Sequence, residues 1–304
     1  MQVHNALTID VEDYFQVSAF ERHVRREDWE RLPRRVEANV ERVLALLAER
    51  RITATFFVLG WIAERHPSLV RRLSEQGHEV ASHGYGHKRV TDSTPDEFRA
   101  DVARTKRMLE DLTGQPVTGY RAPSYSMSSA TPWAHGILQE EGYRYSSSLY
   151  PISHDHYGDP LAPRFPFAPL GPEASLVEIP IATIQLGVRR LPAGGGGYFR
   201  LFPYVLSRWA IRRLNHIDQS PAVFYFHPWE IDPDQPRVSG LPPRSRFRHY
   251  LNLDKCFARL SRLTEDFAWS RMDDVFAEAI FGHSPDRATQ ARTSAALLPK
   301  ASVA

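Results

Sequence analysis

Only one cysteine, Cys256, occurs in the 304 residues, which excludes an internal disulfide and any cysteine-rich metal site. As a lone thiol it reads as a packed core residue. No uninterrupted apolar run reaches the length needed to span a bilayer. A dominant charge is missing too: 38 Lys and Arg stand against 36 Asp and Glu, a formal net charge of +2. That balance gives no field that would select nucleic acid as a partner. Basic pairs such as Arg25–Arg26, Arg34–Arg35 and Arg212–Arg213 read as solvated helix faces. The opening MQVHNALTIDVED has no basic stretch followed by an apolar one, so the expectation is a cytoplasmic protein with no transmembrane segment.

What the chain does have is histidine in a telling place. His83 and His87 stand four apart in Ser82-His83-Gly84-Tyr85-Gly86-His87. Such a pair is by itself an ordinary surface feature. Its context gives it weight, because Glu79-Val80-Ala81-Ser82 reads as a short buried strand and the pair falls where that strand ends. Gly84 and Gly86 argue for a turn that lets backbone approach a ligand. Near the start of the chain, Ala6-Leu7-Thr8-Ile9 reads as a strand running into the acids Asp10-Val11-Glu12-Asp13. Two imidazoles and a carboxylate make the three-ligand set of an open catalytic zinc site. Alternation along a strand puts Asp10 and Glu12 on one side, whereas a turn beginning at Glu12 would present Asp13, so both acids remain candidate third ligands.

The hydrophobic pattern supplies the frame. Val36 to Arg50 is a helix with Val36, Val40, Val43, Leu44 and Leu47 on one face, and it feeds the apolar strand Thr53–Leu59. Pro67 to Gln76 is amphipathic and stops at Gly77. Thr94-Pro95-Asp96-Glu97 carries a helix start, with an N-cap threonine, proline at the first turn and a capping-box glutamate. That helix ends at Gly114, and Thr131-Pro132 opens another. Further strands are expected at Val117–Tyr120, Tyr143–Ser146, Val177–Ile181, Ala222–Phe226 and Phe267–Trp269, with a last helix around Asp274 to Ile280. Repeated strand–helix units with doubly buried strands predict an α/β fold, a distorted (β/α) barrel of seven or eight parallel strands. Asp10, His83, Arg121 and His227 would then all lie at strand C-terminal ends, where such barrels gather their chemistry. Residues 150 to 175, including His154-Asp155-His156, read as a long loop over the barrel mouth. The run Gly194 to Gly197 lacks the Lys-Ser/Thr ending of a phosphate loop and reads as a mobile insertion. Residues 1–282 are expected to form one catalytic domain with loop insertions, and residues 283–304 a disordered tail.

The acid run, the SHGYGH pair, the TGYRAP segment at Arg121 and the late strand ending in His227 occur in one order over residues 5 to 280, and together they resemble the NodB-type polysaccharide deacetylases of carbohydrate esterase family 4. HGYGH, TGYRAP and SSLYP look most like the peptidoglycan-deacetylase and allantoinase branch. DVEDYFQVSAF, GGGGYFRL and SRFRHYLNLDK look like deacetylases of exosortase and exopolysaccharide loci. The resemblance implies a metal-dependent hydrolase that removes N-acetyl groups from a polysaccharide or its glycan precursor. It implies a divalent ion, zinc or cobalt, on His83, His87 and Glu12 or Asp13. It also implies Asp10 as general base, His227 as general acid and Arg121 as the residue orienting Asp10. The chain departs from the family in placing Ser124 where a tyrosine is usual after the proline, and in lacking an acid near Ser146. Glu178 is then a candidate partner for His227. Trp229, Tyr125 and Tyr14 are candidates for stacking on a sugar ring, with core packing the alternative for each. Two other readings remain, a cyclic amide or ureide hydrolase of the allantoinase kind and a silent glycan-binding module.

Overall fold

The computed structural model of the protein describes residues 3–155 and 157–282; the expected tail from 283 and His156 lie outside the described residues. Six strands come first: β1 (His4–Val11), β2 (Thr55–Val58), β3 (Glu79–Ser82), β4 (Gly119–Tyr120), β5 (Tyr145–Ser146) and β6 (Val177–Glu178). They pair in parallel in that order, each with the next. A hairpin of β7 (Thr183–Leu186) and β8 (Arg189–Pro192) follows, then β9 (Val223–Phe226) and β10 (Ala268–Ser270). β9 pairs with Ala6–Ile9 of β1, while β10 pairs with His4–Ala6 and β2 with Thr8–Val11. The shared residues require β10 and β2 to follow one another along one edge of β1, with β9 on the other edge.

The result is a parallel sheet curled into a distorted barrel, in agreement with the sequence reading. Between β6 and β9 no regular strand closes it. Instead Ala182 N–H donates to the Val223 carbonyl at 3.3 Å, and Tyr225 N–H to that of Gly194 at 2.7 Å. This explains the glycine run, which is not the mobile insertion expected. A Cβ on Gly195 would lie 2.1 Å from the Tyr225 carbonyl oxygen, and one on Gly194 would lie 2.2 Å from Ile181. Only glycine lets the chain approach β9 so closely.

Helices cover the outside: α1 (Val36–Arg50), α2 (Gly60–Arg65), α3 (Pro67–Glu75), α4 (Pro95–Thr113), α5 (Trp133–Glu140), α6 (Gly196–Leu201), α7 (Tyr204–His216), α8 (Pro243–Tyr250) and α9 (Leu253–Asp266), with two short ones at Met272–Val275 and Ala277–Phe281. α4 begins with the capping box read from the sequence and ends on Gly114 in the left-handed region. Alternation along β1 and β2 divides the core. Leu7, Ile9, Phe56 and Val58 pack outward with α1, α3 and α4, while Ala6, Phe57, Ala81, Tyr145 and Tyr225 form a second cluster inside. Asp10 shares the parity of Ala6 and Thr8, so it points inward. None of the helices among the described residues is long and apolar enough to cross a membrane.

Candidate metal centre and active site

Arg121, fully buried just beyond β4, holds Asp10 in place. Its Nη1 donates to Asp10 Oδ1 at 2.6 Å and to Thr8 Oγ1 at 2.8 Å. Its Nε and Nη2 donate to the Ser147 carbonyl and hydroxyl, each at 3.1 Å. The serine segment after β5 thus fixes the guanidinium, and the guanidinium fixes the carboxylate. Tyr125 adds a longer hydroxyl contact to Asp10 Oδ2 at 3.4 Å. Ser124 and Tyr125 both have positive φ, at 55° and 49°, and Ser124 Oγ lies 2.6 Å from Ser18 Oγ, so the serine that replaces the usual tyrosine sits in a constrained turn at the cavity.

The His83–His87 turn is shaped by its glycine and its neighbours. Gly84 has φ +72°, and a Cβ there would lie 2.9 Å from Asp101 Oδ1; Asp101, on α4, accepts the N–H of Tyr85 at 3.0 Å. Arg26 donates to the carbonyls of Gly86 at 2.7 Å and His87 at 3.1 Å. His83 Nδ1 lies 2.9 Å from the Arg121 carbonyl oxygen. A carbonyl can only accept, so Nδ1 carries the proton and Nε2 keeps its lone pair. Burial lowers the His83 pKa to about 4, which keeps the ring neutral at neutral pH, the form that binds metals.

Glu12, His83 and His87 bring their ligand atoms within 4.8 Å of one another, all three residues being buried. Burial alone would raise the Glu12 pKa, but His87, His227 and His83 bring it down to about 2. Glu12 Oε1 accepts the indole N–H of Trp229 at 3.2 Å, leaving Oε2 toward His87. Asp13 is not in this group. Its carboxylate accepts the N–H groups of Tyr14 (2.9 Å), Arg35 (2.7 Å) and Val36 (3.0 Å), so it serves the start of α1, where a carboxylate satisfies donors that the helix leaves unpaired. β1 ends at Val11, and the Glu12 N–H turns back onto the Asp10 carbonyl at 3.0 Å, so it is a turn just past the strand that leaves Glu12 in the cluster and Asp13 outside it.

His227, at the end of β9, faces this group from the other side. Its Nε2 is 3.4 Å from Glu12 Oε1 and 3.9 Å from Asp10 Oδ2. Its Nδ1 donates to Glu230 Oε1 at 2.7 Å, and Arg200 ties the other Glu230 oxygen at 2.5 Å. Burial would lower the His227 pKa, but Glu12, Glu230 and Asp10 outweigh it and lift it to about 9. Glu178, the partner expected from sequence, is occupied elsewhere. It accepts the N–H groups of Ser148 and Leu149 at 2.7 and 2.8 Å and faces His135 at 3.1 Å. Trp229 is only 5% exposed and stacks on His227 (centroids 5.2 Å apart) and His249 (4.2 Å), so the packing alternative describes it. Tyr14 is buried against Phe15.

Asp10, Glu12, His83, His87 and His227 line one cavity of about 440 Å³, with Tyr125, His154 and Tyr157 also on its wall. The loop from 150 to 175 therefore does reach the mouth. Glu230 was not legible as a site residue, although His227-Pro228-Trp229-Glu230 carries a signal: proline followed by an acid at the third position of a helical turn is a capping pattern, and here Glu230 Oε1 accepts the backbone N–H of His227 at 3.1 Å as well as its Nδ1–H.

Residues 29–146 match the polysaccharide deacetylase family model, and residues 147–277 match a domain of unknown function, DUF3473. His83, His87 and Arg121 lie in the first stretch and His227 and Glu230 in the second. A peptidoglycan deacetylase of Helicobacter pylori is 30% identical over 113 residues, which are 37% of this chain and 38% of that protein; the match thus spans well under half of either. A protein from Pseudomonas aeruginosa PAO1 described as a probable polysaccharide deacetylase superposes with a TM-score of 0.57 at 17% identity, over 93% of this chain and 92% of that one. PuuE allantoinase does so equally, with a TM-score of 0.57 at 17% identity over 93% and 91%. The barrel is common to both, so the fold does not choose between these chemistries.

Proposed function

We infer that this chain, which carries a polysaccharide deacetylase domain over residues 29–146, hydrolyses N-acetyl groups on a glycan and releases acetate, and that Glu12, His83 and His87 hold a divalent ion for it. The observation that carries this reading is the convergence on one cavity of a three-ligand set, an Arg-held carboxylate and a Glu-held imidazole. The ligand set fits a metal on its own geometry. Glu12 Oε2 and His87 Nε2 lie 2.8 Å apart, yet Glu12 Oε2 has no hydrogen-bond partner among the described residues, nor has His87 Nδ1. Buried polar atoms without partners are rare in folded proteins, and a carboxylate oxygen and an imidazole nitrogen placed this close in a buried pocket offer two ligands to one ion. Two imidazoles and one carboxylate match the open catalytic zinc set, with cobalt as a substitute.

Such an ion supplies Lewis acidity, polarising a carbonyl and making water a usable nucleophile at neutral pH. The chain's own residues do the rest. Asp10, held by Arg121, takes a proton from the water as its oxygen bonds to the acetamide carbon. His227, protonated through Glu12, Glu230 and Asp10, gives a proton to the nitrogen as the carbon–nitrogen bond breaks. The free amine and acetate then leave. A polysaccharide of the exported kind, or its precursor, is the proposed substrate class.

The test is acetate release from a panel of N-acetylated oligosaccharides, before and after chelation. Release is expected to stop on chelation and return with zinc or cobalt. Activity that survives complete chelation, or turnover of a cyclic ureide in place of any glycan, would favour the allantoinase-like alternative. No turnover of any substrate by the zinc-loaded protein would favour a binding module.

Glu230→Gln has a more particular effect. Glu230 stabilises the protonated form of His227, so its loss makes that proton easier to remove. The alkaline limb of the pH–activity profile is expected to move to lower pH, with kcat down about tenfold. A profile that merely scales down with its limb unmoved would make Glu230 a structural residue.

A further inference from the structure

The stretch that matches a domain of unknown function carries an apolar surface that the active site does not use. It begins in the cavity wall, which Tyr198 and Leu201 line. Tyr198 stacks on Phe202 with centroids 5.9 Å apart, and the chain then enters α7. The inner side of α7 buries Tyr204, Ala210, Ile211 and Leu214. Its outer side presents Val205, Leu206 and Trp209, which are 60%, 47% and 45% exposed. Positions three and four apart lie together on a helix surface, which groups Leu206 and Val205 with Trp209, and the three continue the band begun by Leu201 and Phe202, 45% and 36% exposed. Single exposed apolar residues are ordinary, but a grouped band is not.

Charge says what the band meets. α7 contains three arginines and no acid. Arg208 pairs with Asp266 at 3.3 Å, and Arg213 donates to the Gln185 carbonyl at 3.3 Å. Arg212, three residues beyond Trp209, is exposed and has no ion-pair partner among the described residues. A second copy of this chain docked face to face would set arginine near arginine. An apolar band with a tryptophan and a cationic flank instead matches helices that lie in the interface of an anionic bilayer.

We propose that α7, with the turn before it, docks this protein on an anionic lipid bilayer and brings the cavity mouth to the membrane surface. The docking itself does not rest on the hydrolytic reading. If both hold, the glycan acted on is one presented at a membrane.

The test uses the full chain and sedimentation with vesicles of phosphatidylcholine alone or mixed with phosphatidylglycerol. The parent protein is expected to partition to the mixed vesicles at least about tenfold more strongly than to phosphatidylcholine. Leu206→Ser combined with Trp209→Ser removes two exposed side chains, and it should weaken partitioning by about tenfold or more. Arg212→Glu should weaken it several-fold on the anionic vesicles only. A second readout is quenching of tryptophan fluorescence by brominated acyl chains, expected for the parent and largely lost in Trp209→Phe. Absence of partitioning to anionic vesicles, or equal partitioning by the parent and the double variant, would overturn the proposal. So would light scattering that showed a dimer dissociated by the double variant. Neither readout depends on catalytic activity.

Discussion

Asp10→Asn leaves a folded protein with its metal, and acetate release falls by about a hundredfold or more, the usual loss when a general base is removed. The expectation follows from where Asp10 stands. It is outside the Glu12, His83 and His87 cluster, so its replacement removes no ligand. Its side chain accepts from Arg121 at 2.6 Å and from the Tyr125 hydroxyl at 3.4 Å, with His227 Nε2 at 3.9 Å. An asparagine oxygen can still accept from Arg121, whose other donors go to Thr8 and Ser147. The buried guanidinium therefore keeps its hydrogen bonds while losing its counter-charge. Stability should fall by less than the roughly 3–5 kcal/mol of a buried ion pair broken outright. Thermal unfolding and elemental analysis, run beside the activity assay, separate the roles. A variant that keeps its metal and more than about a tenth of the parent rate would remove Asp10 from proton transfer.

The second large effect is on the ion. His83→Ala and His87→Ala each remove one of the three proposed ligands, and the loss of affinity should exceed the roughly 10–100-fold that changes behind the ligands cause. The two variants should differ in stability. His83 anchors the Arg121 carbonyl through Nδ1, so its removal leaves a buried acceptor unpaired, worth about 1–3 kcal/mol. His87 has no such bond through Nδ1, and His87→Ala should melt closer to the parent. Equal metal content in the parent and both variants would exclude the pair as ligands.

Much of this centre was legible in the sequence because its parts are local. Each key side chain follows a short apolar strand, and the strand's end fixes where it projects: Asp10 and Glu12 from β1, His83 from β3, Arg121 from β4, His227 from β9. What depended on long-range packing was not legible. The Glu178 carboxylate has the right chemistry to serve His227, but the chain folds it under Ser148 and Leu149. Trp229 looks like a sugar platform until His249, twenty positions on, stacks against it. The glycine run reads as slack unless β9 is known to lie against it. Helix α7 is not among the helices read from the sequence, and opposite the buried Ala210, Ile211 and Leu214 its outer side carries Val205, Leu206 and Trp209. The same residues are those assigned to the membrane.

Asp13 and Glu12 offered two ligands to one site, and the distinction is where the centre is most open to test. Zinc content per chain in Glu12→Gln and Asp13→Asn, measured after loading and desalting, decides it. The expected result is loss of the ion from Glu12→Gln. Asp13→Asn should retain the ion and melt lower by about 1 kcal/mol of stability, as for a weakened helix cap. Zinc kept by Glu12→Gln and lost from Asp13→Asn would contradict the assembly of the metal centre described above.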